Sequence, residues 1–172
     1  MKKVLILVIL SVVLLMTACG SQSGYVLDEK TFFLVMTNVQ YYPDQYLGKD
    51  FQFDAFVYDL EDVDGVVHRT VVRKCSAGYG CTCGKDTVIG FVIKYDGTLP
   101  DPRNQGEDSN DKTWLHCVGQ VDSGTKQAVR IYAYSDGAID YNTIETIEFP
   151  VFRLSEYTAI QDYSNLHYYV TK

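Results

Sequence analysis

Six runs rich in β-branched and aromatic residues, at 51–59, 66–74, 87–95, 113–121, 128–134 and 139–149, constrain most what this chain can fold into. Such side chains fit a pleated, half-buried surface, so each run predicts a strand of ordinary length. Glycine dipeptides punctuate them: Asp64-Gly65, Asp96-Gly97, Ser123-Gly124 and Asp136-Gly137 each fall between two runs. Glycine reaches the positive φ that tight hairpins need, and hairpins pair their strands antiparallel. Ahead of the runs the period changes. Phe32, Phe33, Val35, Met36 and Val39 recur at spacings of three and four behind Thr31, a candidate N-cap, and Pro43 closes the stretch. That pattern predicts one short helix.

The expected fold is therefore mainly β. Five to six antiparallel strands, bent or closed on themselves and accompanied by one N-terminal helix, describe a small barrel like the oligonucleotide/oligosaccharide-binding (OB) fold. A two-sheet sandwich is the alternative.

The first residues follow another logic. Lys2 and Lys3 precede an apolar run from Val4 to Met16, with Ser11 inside it, and the small residues Thr17 and Ala18 come next. This is the layout of an export signal. The run has 13 residues, whereas a helix needs about 20 apolar residues to cross a hydrocarbon core. Leu15-Met16-Thr17-Ala18-Cys19 resembles the lipobox of bacterial lipoproteins, although Met16 stands where Leu is usual. The resemblance implies cleavage before Cys19, lipid on that cysteine, and a chain anchored at the extracytoplasmic face of the cell membrane. The organisation expected is a signal peptide at 1–18, a lipidated cysteine and flexible tether at 19–30, and one barrel domain at 31–172. Gly20, Ser21, Ser23 and Gly24 give the tether little stiffness.

Removing residues 1–18 from 172 leaves 154, enough for one domain with a real core. The net charge falls from −7 to −9, because 13 Lys and Arg then face 22 Asp and Glu. Nucleic acid is recognised through clustered basic residues that release counterions, and so acidic a chain lacks that footprint.

Four segments occur in an informative order: Tyr42-Pro43-Asp44-Gln45-Tyr46-Leu47-Gly48-Lys49, Phe51-Gln52-Phe53-Asp54-Ala55-Phe56-Val57-Tyr58, Val88-Ile89-Gly90-Phe91-Val92-Ile93-Lys94-Tyr95 and Asp111-Lys112-Thr113-Trp114-Leu115-His116-Cys117-Val118-Gly119. Across residues 31–150 they resemble the C-terminal extracytoplasmic domain of a bacterial membrane-protein family, the permease subunit encoded beside a predicted two-component permease. The resemblance implies a barrel-like domain of unknown function and a permease as partner. Members of that family carry membrane helices ahead of the domain; here lipid on Cys19 would replace them, so the partner would be recruited instead of fused. The family also carries an arginine, then an adjacent cysteine pair, then an aspartate. Arg69, Cys75 and Asp86 follow that order, but Lys74 replaces the first cysteine and an insertion brings Cys81 and Cys83.

With Cys19 assigned to lipid, Cys75, Cys81, Cys83 and Cys117 remain, an even number in an exported chain. Three of them crowd into the glycine-bearing stretch 75–84. Four thiolates match the tetrahedral preference of zinc, with His116 or His68 as further candidate ligands. Two disulfides satisfy the same count, although the spacing of Cys81 and Cys83 is too tight for an easy mutual bridge.

Other candidates give way to plainer readings. Asp62-Val63-Asp64-Gly65 opens like a calcium loop, but Leu60 and Val71 stand where ligands belong, so it reads as a hairpin turn. The acidic stretch 96–111 reads as a solvated loop, and His167, among Tyr163, Tyr168 and Tyr169, as packing at the barrel end. No nucleophile elbow or phosphate-cradling glycine loop occurs, so catalysis is not expected. Two functions fit: a membrane-tethered module that captures zinc for a permease, or a passive protein- or glycan-binding assembly lipoprotein whose cysteines staple the barrel.

Overall fold

The computed structural model describes residues 24–75, 87–105, 111–135, 138–167 and 169–170. Within them the chain is mainly β with one α-helix. In order come β1 (Tyr25–Leu27), α1 (Glu29–Tyr41), a 3-10 turn (Pro43–Tyr46), β2 (Asp50–Glu61), β3 (Val67–Cys75), β4 (Thr87–Lys94), β5 (Trp114–Val121), β6 (Gln127–Ser135), β7 (Ala138–Phe149), β8 (Val151–Ala159) and β9 (Tyr169–Val170). Residues 25–30, expected as tether, are instead β1 and the first turn of α1.

The helix starts earlier than Thr31. Asp28 is the N-cap: its carboxylate accepts from the Lys30 and Thr31 backbone N–H groups at 3.0 and 2.8 Å. The Thr31 hydroxyl in turn accepts from the Asp28 N–H at 3.0 Å, completing a capping box. Phe32, Met36 and Val39, one apolar stripe at helical spacing, are buried. Pro43 lacks the N–H that another turn would need, and the chain tightens into the 3-10 turn.

The strands form a circuit. β2 is antiparallel to β5 from residue 50 to 56 and antiparallel to β3 from 56 to 61. β3 is antiparallel to β4, β4 runs parallel to β8, and β8 is antiparallel to β5, which returns to β2. β1 and β9 add short parallel pairings to β2 and β3. β6 and β7 make a separate two-stranded sheet.

Two expectations need correcting. The main sheet is mixed, not antiparallel, and beyond the five strands of the circuit the described residues hold the short β1 and β9 and the separate β6–β7 pair. Asp64-Gly65 does close a hairpin: Gly65 has φ +77° and the Asp62 N–H donates to the Val66 carbonyl. Asp96-Gly97 and Ser123-Gly124 do not, because β4 pairs with β3 and β8, and β6 lies in the other sheet. A glycine supplies the turn without choosing the strand's partner. β8 escaped notice because only Pro150 separates it from β7, so 139–149 and the next strand read as one run and a remainder.

Inside the circuit, Phe51, Phe53, Ala55 and Val57 alternate inward from β2 and meet Phe91 and Phe152. The Phe91 and Phe152 rings lie 4.8 Å apart, and Phe53 is 5.6 and 5.3 Å from them. Phe32 of α1 joins them at 5.8 Å from Phe53, edge-on. Each such fully buried ring contributes about 1.5–3 kcal/mol. A second cluster, Phe56, Val72 and Trp114, is covered by Ile160, Tyr163 and Leu166.

Candidate functional site

The four candidate cysteines divide. Cys81 and Cys83 lie outside the described residues, as do Cys19 and residues 1–18. Cys75, the last residue of β3, and Cys117 of β5 are both buried in the apolar core, and no disulfide joins them to each other. Burial pushes the Cys117 thiol well above its ordinary pKa, with the Asp54 carboxylate adding to the rise. A protonated thiol among apolar neighbours is a poor metal ligand.

The histidines proposed as extra ligands stand elsewhere. His116 precedes Cys117, and successive strand residues face opposite sides of the sheet. Its Nδ1 lies 2.7 Å from the Asp54 carboxylate on the outer face, while Cys117 points into the core. His68 sits at the other end of β3 from Cys75, seven residues or about 23 Å along the strand, and its Nε2 meets Asp62 at 3.1 Å. Among the described residues no three His, Cys, Asp or Glu side chains converge as a metal site would require.

Of the carboxylates weighed as cation ligands, Asp62, Asp101 and Asp111 are engaged. Asp62 accepts from the Asp64 and Val66 N–H groups at 2.9 and 2.8 Å, the turn expected there. Those backbone bonds, Val66 first, and His68 hold its carboxyl below the ordinary value. In the acidic stretch, Asp101 lies 3.5 Å from Arg69, and Asp111 lies 2.7 Å from Arg103 and accepts from the Tyr163 hydroxyl at 3.0 Å. Glu107 and Asp108 lie outside the described residues.

Sequence reasoning missed one buried, multiply bonded polar residue. Arg73, buried, occupies the gap between β1 and β3 along β2, where β1 covers residues 51–53 and β3 begins pairing only at Phe56. Its guanidinium donates to the Asp54 carbonyl at 3.4 Å, supplying the donor that no strand offers there. It also donates to the His167 carbonyl and pairs with Glu29 at 3.5 Å. Glu29 accepts from the His167 N–H at 2.7 Å and lies 3.4 Å from the His167 Nε2, so the C-terminal segment is tied to α1 by polar contacts to Glu29 and not by aromatic packing of the exposed His167 ring. Burial lowers the Arg73 pKa, and Glu29 opposes the shift. The inward parity of Arg73 with Val71 and Cys75 was the available signal.

The runs at 128–134 and 139–149 do pair antiparallel as expected, their turn residues 136–137 lying outside the described residues, but the sequence did not mark that β6 and β7 form a sheet of their own. β7 exposes nearly every side chain before Phe149, including Ile139, Tyr141 and Ile144. Tyr141 meets the half-exposed Tyr132 of β6 edge-on at 5.1 Å. The register jumps from Tyr132↔Ile144 to Ala133↔Asp140, so residues 141–143 bulge out of the ladder. The sheet is held to the circuit at its edges: the Val63 N–H donates to the Arg130 carbonyl at 2.9 Å, and Arg130 pairs with Asp64 at 2.8 Å.

Compared with known proteins, residues 15–165 match the family model described as the DUF1980 C-terminal domain. No curated protein and no solved structure matches the chain. Among the described residues no helix is long and apolar enough to cross a membrane.

Proposed function

The chain belongs to the family of the DUF1980 C-terminal domain, and we propose that it is a non-catalytic, extracytoplasmic assembly module, held to the membrane by lipid on Cys19 and docked on a permease. The observation that carries this reading is β7. A two-stranded sheet is marginal by itself in water, and one that leaves Ile139, Tyr141 and Ile144 exposed gains stability by burying them against a partner. The circuit of five strands, with its single parallel contact between β4 and β8, supports an OB-like barrel as the platform.

The zinc reading is weaker. It loses Cys117 to the core and both histidines to carboxylates, leaving Cys75, Cys81 and Cys83, one ligand short of a closed structural site. Assembly requires none of these as a ligand. A photo-crosslinking amino acid at position 141 or 144, in membranes holding both the chain and its permease, tests the proposal. Adducts to a multi-span membrane protein from these positions, and not from exposed Glu156, are expected; equal yields from all three overturn it.

A further inference from the structure

We infer that the outer face of α1 lies on the lipid bilayer, as a second membrane contact beside the lipid on Cys19. The inference rests on the anchoring proposed above and adds an orientation to it. α1 turns Phe32, Met36 and Val39 inward, and its outer side presents Lys30, Leu34 and Tyr41, continued by Tyr42. Leu34, Tyr41 and Tyr42 are 58%, 68% and 57% exposed, far more than apolar positions on a helix facing only water would favour.

Charge points the same way. In a mature chain of net charge −9, no Asp or Glu occurs from Lys30 to Pro43. Glu29, at the helix start, is paired with Arg73. Exposed Asp28 and Asp44 flank the stretch, but between them the face carries no carboxylate that an anionic leaflet would repel, and it carries one lysine that the leaflet attracts. Tyrosines are enriched where membranes meet water, because the ring is apolar and the hydroxyl is not.

Chain length supplies the reach. Six residue steps separate Cys19 from Tyr25, a span of at most about 20 Å fully extended and about 12–15 Å as a Gly/Ser coil. β1 is followed by α1 after one residue, Asp28. Lipid on Cys19 thus keeps α1 within a short distance of the headgroups.

The test uses the full lipidated chain in vesicles of phosphatidylglycerol and phosphatidylethanolamine with brominated acyl chains, which quench nearby tryptophan. Leu34→Trp and Tyr41→Trp are compared with Val67→Trp, also more than half exposed but on the β2–β3 hairpin. The single native tryptophan, Trp114, is buried and gives a common background. Quenching several-fold stronger at positions 34 and 41 than at 67 is expected. Equal quenching at all three positions, in chains whose N-terminal peptide carries lipid by mass, overturns the inference and leaves the anchor standing. An N-terminal peptide without lipid overturns the anchor and the inference together.

Discussion

The guanidinium of Arg73 lies 5.1 Å from the centre of the Trp114 ring and 5.6 Å from that of Phe32, so one buried cation links the second cluster to the helix. Cation–π contact is strongest where water is excluded, and here the same group also serves the Asp54 and His167 carbonyls. Arg73→Ala would leave those carbonyls without this donor and Glu29 without its guanidinium partner, at a cost of about 2–4 kcal/mol. Arg73→Lys keeps the charge but not the planar fork, so an intermediate loss is expected. Urea unfolding followed by the emission of Trp114 measures both. Proteolysis after residue 160 should quicken in the same order, because the C-terminal segment is tied down through His167.

Much of this was legible in sequence and some was not, for identifiable reasons. The alternation Phe51, Phe53, Ala55, Val57 marks one face of β2, and Phe32, Met36, Val39 mark the buried stripe of α1. Period reports which face is apolar, not which strand lies alongside. Hence the parallel partnership of β4 and β8, which completes the circuit, had no local sign. The cysteines were legible as a count but not as a site. Strand parity separates His116 from Cys117, and the strand's length separates His68 from Cys75. Arg73 went unnoticed because a charged residue in an apolar strand looks like a solvated position until its partners in α1 and the C-terminal segment are known.

Stability toward acid should depend on Asp122, which follows β5 and joins Lys94 of β4 to Arg153 of β8. Its carboxylate, 8% exposed, lies 2.7 Å from Lys94 Nζ and 2.8 and 2.7 Å from Arg153 Nε and Nη2. The hydrogen bond from Lys94, then that from Arg153, holds its pKa below the ordinary 3.8. A carboxyl depressed on folding contributes stability at pH above its unfolded value, and that contribution fades as pH falls through the folded one. Asp122→Asn should therefore be less stable than wild type at pH 6, and the gap should close below pH 3.8. Denaturant midpoints across this range decide; a gap that persists at pH 2 would assign the loss to packing.

Two glycines are required by close approach, not by turn geometry. A Cβ on Gly119 would stand 2.2 Å from the Arg153 carbonyl oxygen and 2.7 Å from the Phe152 ring, beside the Val118/Gly119 register shift. One on Gly90 would stand 2.1 Å from the Val71 carbonyl oxygen. Backbone cannot swing aside as a side chain can, so Gly119→Ala and Gly90→Ala should each cost about 1–3 kcal/mol or more. Gly48→Ala meets nothing within 4 Å and strains only the backbone, at φ +67°. It should cost about 1 kcal/mol. Thermal midpoints of the three variants should rank accordingly.

Cys117 offers the sharpest division between the two readings of the cysteines. Thiol reagents attack the thiolate, and burial holds the Cys117 thiol protonated as well as out of reach. Titration of the folded, reduced chain should therefore miss Cys117, and denaturant should expose it. Cys117→Ala removes only a small apolar group from the core, at about 1 kcal/mol, and should leave the zinc content of reduced protein equal to that of wild type. A fall in bound zinc in Cys117→Ala, matched by Cys81→Ser and Cys83→Ser, would return Cys117 to a four-thiolate site. It would also require the core around Phe53 and Cys75 to open when metal binds.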